Sequence, residues 1–492
     1  MKRRTFLLAP VAAAVASAAR GVTSDPEPYG ALPTARQWRW HQVETYAFLH
    51  FTVNTFTDHE WGEGDEDTNI FQPTDFDADA IVAGLKSAGL KTVILTAKHH
   101  DGFCLWPTQA TEHCIRNSSW RDGKGDVVRE ISQAAAHQGL GFGVYVSPWD
   151  RNNPAYGTPP YINLYRTQLT ELLTQYGPIA EIWFDGANGG TGYYGGAREK
   201  RVIDRTTYYD WPNTWALARR LQPDAVMFSD VGPDIRWVGN ENGVASETCW
   251  ATYDPAGEHG GAAAVGDVDA KLSGVGTRHG KRWLPAECDV SIRPGLFWHE
   301  AENDKVKTPR ELADLYFKSV GRGAGFLLNV PPDRRGRLHE ADLASLRGFG
   351  DWREATFSAN LARDARLTPS NVRGGSKKYA AGNLLDGDPE TYWATDDAAT
   401  TPALRLEFPR PVTFNIIRLR EYIRLGQRIE SVEIAAKDGQ DRRTIAAATS
   451  VGNCRLIRTT APVTTDQVEL RITQSAACPA LSDFGLFTEP QT

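Results

Sequence analysis

At 492 residues the chain is too long for one ordinary hydrophobic core, so two or more domains are expected. With 23% charged and 41% hydrophobic residues it has the composition of a soluble globular protein, and a formal charge of −7 argues against a nucleic-acid binder, which needs a basic face. Fifteen Trp and sixteen Tyr supply core material and also flat aromatic faces of the kind that seat sugar rings.

Residues 1–20, within MKRRTFLLAPVAAAVASAARG, run from basic residues through an apolar stretch to small residues around Ala16–Ser17–Ala18. That is the layout of a secretory signal peptide, and Arg3–Arg4 ahead of Phe6 and Leu7 resemble a twin-arginine signal. The apolar run is too short for a membrane span and no other stretch approaches that length. The expectation is an exported protein, periplasmic or extracellular, with no membrane span.

Within an expected catalytic domain of 30–355, strand-like runs alternate with helical patterns. The strand candidates are TYAFLHFTVN (45–54), TVILTAK (92–98), GFGVYVSPW (141–149), AEIWFDG (180–186), AVMFSD (225–230), ASETCW (245–250), LPAECDV (284–290) and GFLLNV (325–330). Helical patterns lie at 77–89, 126–139, 162–177, 213–222, 309–323 and 339–352. Such alternation predicts a parallel sheet with helices outside. Roughly eight strands over some 300 residues predict an α/β fold, a distorted (β/α)8 TIM-like barrel, with a doubly wound open sheet as the competitor. From 356 to 492 short alternating strands and turn signals replace the helices, which predicts an all-β sandwich. The six cysteines show no metal-binding spacing; Cys104 with Cys114 and Cys454 with Cys478 are either disulfides or buried free thiols.

The segment EIWFDGAN (181–188) poses the functional question, because an apolar run ends in Asp185 and a glycine. An Asp-Gly pair is ordinary turn chemistry; a carboxylate at the C-terminal mouth of a parallel barrel is where catalytic groups sit. Neighbouring run ends are just as polar: His50, Asn54, Glu60 and Trp61 after the first, His99, His100 and Asp101 after the second, Tyr145, Ser147, Trp149 and Asp150 after the third, and Trp183 with Asp185 at the fourth. Any one of these histidines alone is more often structural, but four polar termini in succession describe an aromatic-walled pocket. Adjacent His99 and His100 point to opposite faces of a strand, which argues against a shared metal. Neither a phosphate-binding glycine loop nor a GxSxG elbow is present. Two-carboxylate chemistry of the glycosidase kind remains, with one carboxylate near the anomeric carbon and one carboxyl near the leaving oxygen.

HFTVNTFTDHEWG, TAKHHDGFCLWPT, YVSPWDRN, EIWFDGAN, AECDVSIRPGLFWHE and FLLNVPPDRRG, in this order between about residues 40 and 340, resemble glycoside hydrolase family 29, the α-L-fucosidases. The resemblance implies a retaining exo-enzyme on a distorted (β/α)8 barrel, with Asp185 as nucleophile and a fucosylated oligosaccharide or glycoconjugate as substrate. His50, Glu60, Trp61, His99, His100, Tyr145 and Trp183 fall on positions that hold the fucose, Glu63 and Glu66 competing with Glu60, and Trp298 closes the pocket around the sugar methyl. Two acid/base candidates stay open. Glu241 in IRWVGNENG resembles the branch that cleaves α-1,3/1,4 fucose, and Glu287 in AECDVSIRPG resembles the position used by other members. Glu241 is favoured, its alternative being a loop-exposed charge, while Glu287 could instead be a strand-end ion pair with Arg293. The segment NGGTGYYGGAREK (188–200) departs from the family pattern, and its glycines suggest either a mobile loop beside Asp185 or a spacer. The C-terminal part resembles a discoidin-like module, a candidate carbohydrate-binding domain, in which Asp386, Asp388 and Thr391 form either a structural calcium site or an Asp- and Gly-rich turn. No cofactor or active-site metal is expected for catalysis.

Overall fold

The structure, a computed structural model, describes residues 24–490, and the expected leader lies outside the described residues. Eight parallel strands make up the N-terminal unit: β1 (Thr45–Leu49), β2 (Thr92–Lys98), β3 (Gly141–Val146), β4 (Glu181–Trp183), β5 (Val226–Phe228), β6 (Arg236–Trp237), β7 (Ala286–Ser291) and β8 (Gly325–Asn329). They follow the order β5-β4-β3-β2-β1-β8-β7-β6. A single bridge from Phe228 to Ile235 joins the two ends, so the sheet is a nearly closed barrel.

The period of two along each strand divides the side chains between two cores. Tyr46, Phe48, Ile94, Tyr145, Trp183, Val226, Phe228 and Leu327 fill the barrel interior. The alternate residues, such as Ala47, Leu49, Val93, Val144, Ile182 and Phe184, pack outward against the helices. Those helices run over Ala78–Ser87, Val127–Gln138, Pro159–Gln175, Trp211–Leu221, Pro309–Lys318 and Glu340–Phe357. Their starts are written locally. Asp77 and Asp126 each accept a backbone N–H from the first turn, and Thr308 with Glu311 forms a reciprocal capping box ahead of Pro309. An additional helix, Ala35–Val43, brings Trp40 under the barrel against Tyr46, ring centroids 6.1 Å apart.

One expected strand is corrected. ASETCW (245–250) is irregular, its Ala245 and Cys249 packing beside Val238 and Cys288, and the sixth barrel strand is the two-residue Arg236–Trp237. Two residues carry no periodic signal, so the buried run that follows drew the assignment instead.

The C-terminal unit is an antiparallel sheet in the order Trp393–Ala394, Ala480–Phe487, Ala403–Glu421, Arg455–Ser475, Ile429–Asp438, Asp441–Ala448, with Arg366–Pro369 paired to the Ala403–Glu421 strand. Register shifts bend the long strands, and their inward residues, among them Leu404, Leu406, Phe414, Ile434 and Leu470, form a separate core. Ile416, Cys454, Leu456 and Phe487 join the barrel's outer core. Ion pairs Arg420–Glu44 (2.6 Å) and Arg278–Glu430 (2.8 Å) cross the same interface. All six cysteines are free and buried.

Candidate active site

The alternation within β4 sends Glu181 and Trp183 inward and continues to Asp185, which stands at the mouth with a side chain 21% exposed. Both readings of its Asp-Gly context hold together. Oδ1 accepts from the Ala187 amide at 2.6 Å, closing the turn, and Oδ2 accepts from the Tyr145 hydroxyl at 2.7 Å. Burial first, and then the Asp185 carboxylate, push the Tyr145 phenol far above its usual pKa, so it remains a donor. The carboxylate is therefore held at both oxygens.

Three histidines wall the same mouth, and burial is the main reason that all three stay neutral near pH 7. His50 and His100 are lowered to about 4, and His99 falls well below its usual value, aided by its two histidine neighbours. Their partners assign the tautomers. The Asn329 amide donates through Nδ2 to Ser291 Oγ and Leu296 O, so its Oδ1, 2.8 Å from His50 Nδ1, accepts. Ser147 Oγ donates to Trp149 O and so accepts from His100 Nδ1 at 2.7 Å. His50 and His100 thus keep an unprotonated Nε2. That of His100 lies 3.8 Å from Asp185 Oδ2. His99 Nδ1 faces the Asn54 amide nitrogen at 3.5 Å, which leaves its Nε2 as the donor. Two acceptors and one donor, fixed in tautomer, are what a polyhydroxylated ring requires.

Trp61 is 49% exposed and sets its ring edge-on to His100 and Trp149, centroids 5.1 and 5.7 Å away. Trp183 lies on the floor, stacked on Phe228 at 4.0 Å. Glu60 reaches the loop after β7: Oε2 accepts from Leu296 N at 2.8 Å, and Oε1 meets His299 Nε2 at 2.5 Å. Burial opposes charge on His299, but its hydrogen bonds to Asp58 and Glu60 outweigh that and raise its pKa. Glu60 therefore clamps the loop that closes this side of the pocket. Its competitors are used elsewhere: Glu66 binds the amides of Glu63 and Gly64, and Glu63 pairs with Arg151.

In that loop the two aromatic rings face different partners. Phe297, not Trp298, meets the histidines, its ring 5.4 Å from His50 and 5.1 Å from His99. Trp298 turns to Arg334 and His339 instead. Adjacent residues of an extended loop face opposite ways, so a shift of one position exchanges the two rings.

The acid/base candidates separate cleanly. Glu241 lies in the loop after β6, anchored to β7 by Gly243 N to Asp289 O (3.1 Å) and by pairing of Asn242 with Val290. It is exposed at its tip. Desolvation on its inner side, then the carboxylates of Asp185 and Glu60, raise its pKa, which places it within the electrostatic reach of the mouth. Glu287 is fully buried. Tyr46 donates to its Oε2 at 2.6 Å and Trp183 Nε1 to its Oε1 at 2.7 Å, and it shares a proton-rich site with Glu181, whose pKa burial and Glu287 raise strongly. Arg293, the partner considered for Glu287, pairs with Asp342.

A family model for alpha-L-fucosidases matches residues 21–356. The chain belongs to the alpha-L-fucosidase family. It is 42% identical over 470 residues to Alpha-L-fucosidase 1 of Arabidopsis thaliana, covering 94% of this chain and 89% of that one. Among solved structures, a glycoside hydrolase 29 member from an unknown rumen bacterium is 39% identical with a TM-score of 0.84, over 95% of this chain and 79% of that one. A Ruminococcus gnavus GH29 fucosidase in complex with fucose is 32% identical with a TM-score of 0.85, over 96% and 97%. Like its relatives this α-L-fucosidase is a glycoside hydrolase on a TIM-like barrel.

Several site residues escaped sequence reasoning. Asn329 and Ser291 end β8 and β7, His299 follows two aromatic residues, and Asp230 lies two residues past β5 with its pKa raised to about 7, mainly by burial. Only Asp230 carried a signal, a carboxylate at a strand end like Asp185. Segment 188–200 contains a hairpin: Gly190–Gly192 and Glu199–Arg201 pair, stapled by Tyr194 N to Arg151 O (2.8 Å) and Gly195 N to Asn152 O (2.9 Å), with Trp149 Nε1 donating to the buried Tyr194 hydroxyl at 2.9 Å. A cavity of about 600 Å3 lies at the opposite end of the barrel, lined by Trp40, Tyr46 and Glu181, away from this chemistry.

The segment read as either a calcium site or an Asp- and Gly-rich turn is closed by side-chain hydrogen bonds. Asp386 Oδ1 accepts from Asp388 N at 2.9 Å and Oδ2 from Thr391 Oγ1 at 2.7 Å, the pattern of an Asp-closed turn.

Proposed function

We propose that the protein is a retaining exo-α-L-fucosidase that releases terminal α-1,3/1,4-linked L-fucose from branched glycans. The observation that carries this reading is the pairing of a carboxylate held at both oxygens, Asp185, with a carboxyl whose pKa is raised in its field, Glu241. Asp185 attacks the anomeric carbon as the glycosidic C–O bond breaks, and the Glu241 proton goes to the departing oxygen. Glu241, now a carboxylate, takes a proton from water, whose oxygen displaces Asp185 and frees α-L-fucose. Neutral His50, His99 and His100 hydrogen-bond the hydroxyls, and Trp61, half exposed at the mouth, offers the sugar an aromatic surface. The linkage preference rests on the loop that carries Glu241 and on the burial of Glu287. The leader-like residues 1–20 support action outside the cytoplasm.

The test is Glu241→Ala, assayed on a fucosylated Lewis-type trisaccharide and on an activated aryl fucoside, with and without azide. The proposal expects loss of trisaccharide cleavage, retained attack on the aryl substrate, and rescue by azide as the α-fucosyl azide, the product of two inversions. Near wild-type cleavage of both substrates would remove Glu241 from the mechanism, and a β-fucosyl azide would rule out double displacement.

A further inference from the structure

Beside the nucleophile turn lies a cleft of about 560 Å3, lined by Trp61, Trp149, Asn188, Thr191, Lys200 and Arg205. Gly186 and Ala187 also border it, so it continues from the Asp185 turn. Its wall is the hairpin described above. In that hairpin Thr191 pairs with Lys200, so the two side chains share one face, whereas Glu199 and Arg201 point the other way. Arg201 lies over Tyr194 at 4.4 Å and binds Glu199 at 2.8 Å, which leaves Lys200 on the cleft side.

The charges in this cleft are unequally compensated. Arg151 spends its guanidinium on Glu63, Gly62 O and Thr191 O. The neighbouring acids are occupied too: Asp204 binds the hydroxyls of Thr206 and Thr207, and Asp65 pairs with Arg198. Lys200 and Arg205 make no ion pair among the described residues, and Arg205 gives one N–H to Gly266 O. Arg205, whose charge acts on the buried Asp230 without a direct salt bridge to it, stands with Lys200 beside the half-exposed Trp61 on a framework fixed by backbone hydrogen bonds.

We propose that this cleft is a leaving-group subsite that binds an anionic substituent, a carboxylate or a sulfate ester, on the glycan from which fucose is released. The proposal rests on the fucosidase reading and adds the substrate class. An aromatic face takes the apolar side of a sugar while Lys200 and Arg205 take its charge. The gain falls with ionic strength, because both cations are partly exposed.

The experiment compares kcat/KM for a neutral Lewis-type trisaccharide with its 3′-sialylated and 3′-sulfated forms, in wild type, Lys200→Ala and Arg205→Met, at low and high salt. The readout is the ratio of anionic to neutral substrate within each protein, so that a general loss of activity cancels. Wild type is expected to favour at least one anionic form by about three- to tenfold, with the ratio falling toward one in each variant and at high salt. Gain with the sialylated form alone assigns the carboxylate, and gain with the sulfated form alone assigns the sulfate ester. A wild-type ratio of one or less for both, or a preference that survives both substitutions, overturns the subsite. Failure of the fucosidase reading is told apart by an aryl fucoside, which would then release no fucose.

Discussion

Trp183 Nε1 donates to Glu287 Oε1 at 2.7 Å, with Tyr46 closing on the other oxygen at 2.6 Å. This relationship makes Glu287 the brace beneath the pocket floor. Removing the carboxyl strands two buried donors, each costing about 1–3 kcal/mol. Glu287→Ala is therefore expected to lower the unfolding free energy by about 2–6 kcal/mol, measured by denaturant titration, while Glu287→Gln keeps turnover on an aryl fucoside. A Glu287→Gln enzyme with unchanged stability and thousandfold slower turnover would restore it as acid/base.

In the proposed mechanism Asp185 is the nucleophile, and Asp185→Asn should then lose at least about a thousandfold in kcat with Tm close to wild type. Tyr145→Phe removes one charge-assisted bond to the same carboxylate. At about 1.5–3 kcal/mol that is roughly a ten- to hundredfold loss in kcat/KM. Equal activity of Tyr145→Phe and wild type would show that the Ala187 amide alone positions the nucleophile.

The pH dependence follows from Glu241. As the proposed general acid it would work protonated, and its raised pKa extends that form toward neutral pH; kcat/KM should decline as pH rises through it. Glu241→Gln should abolish this alkaline limb on an aryl fucoside. His50 and His100 protonate only near 4, so no histidine limb is expected between pH 5 and 8. A limb near 6.5 that vanishes in His100→Gln would contradict the neutral-histidine pocket.

The Arg420–Glu44 pair ties the C-terminal sheet to the entry of β1 at 2.6 Å. Burial raises the Glu44 pKa, but Arg420 outweighs it and the net shift is downward. A carboxyl lowered on folding stabilises above its unfolded pKa, about 4.3, and that contribution is lost as pH falls through the lower folded value. Arg420→Met strands the largely buried carboxylate and should cost about 3–5 kcal/mol near pH 7. The gap to wild type should narrow on acidification toward pH 3. A gap independent of pH would assign the effect to packing alone.

How much of this was legible in advance depends on how local the cause was. The EIWFDG alternation already placed Trp183 and Asp185 on one face of β4, since a period of two is a property of the strand itself. The C-terminal sheet shows the limit. Its strands were legible, yet none of its Trp, Tyr or Phe side chains is exposed among the described residues, and Ile416, Leu456 and Phe487 bury themselves in the barrel's outer core. What it packs against belongs to the folded chain and is not displayed by any one strand.

The sequence by itself determined the strand–helix alternation, the polar strand ends that carry His50, His99, His100, Tyr145 and Asp185, and the capped helix starts, because each arises from neighbours a few residues apart. Tertiary structure alone decided that Glu287 braces the floor, that Phe297 rather than Trp298 meets the histidines, and that Arg236–Trp237 supplies the sixth strand. Those outcomes depend on partners brought together by folding: Trp183 lies 104 residues before Glu287, and Glu60 lies 236 before Leu296. Burial and hydrogen bonding between such distant groups have no local signature for a sequence to display.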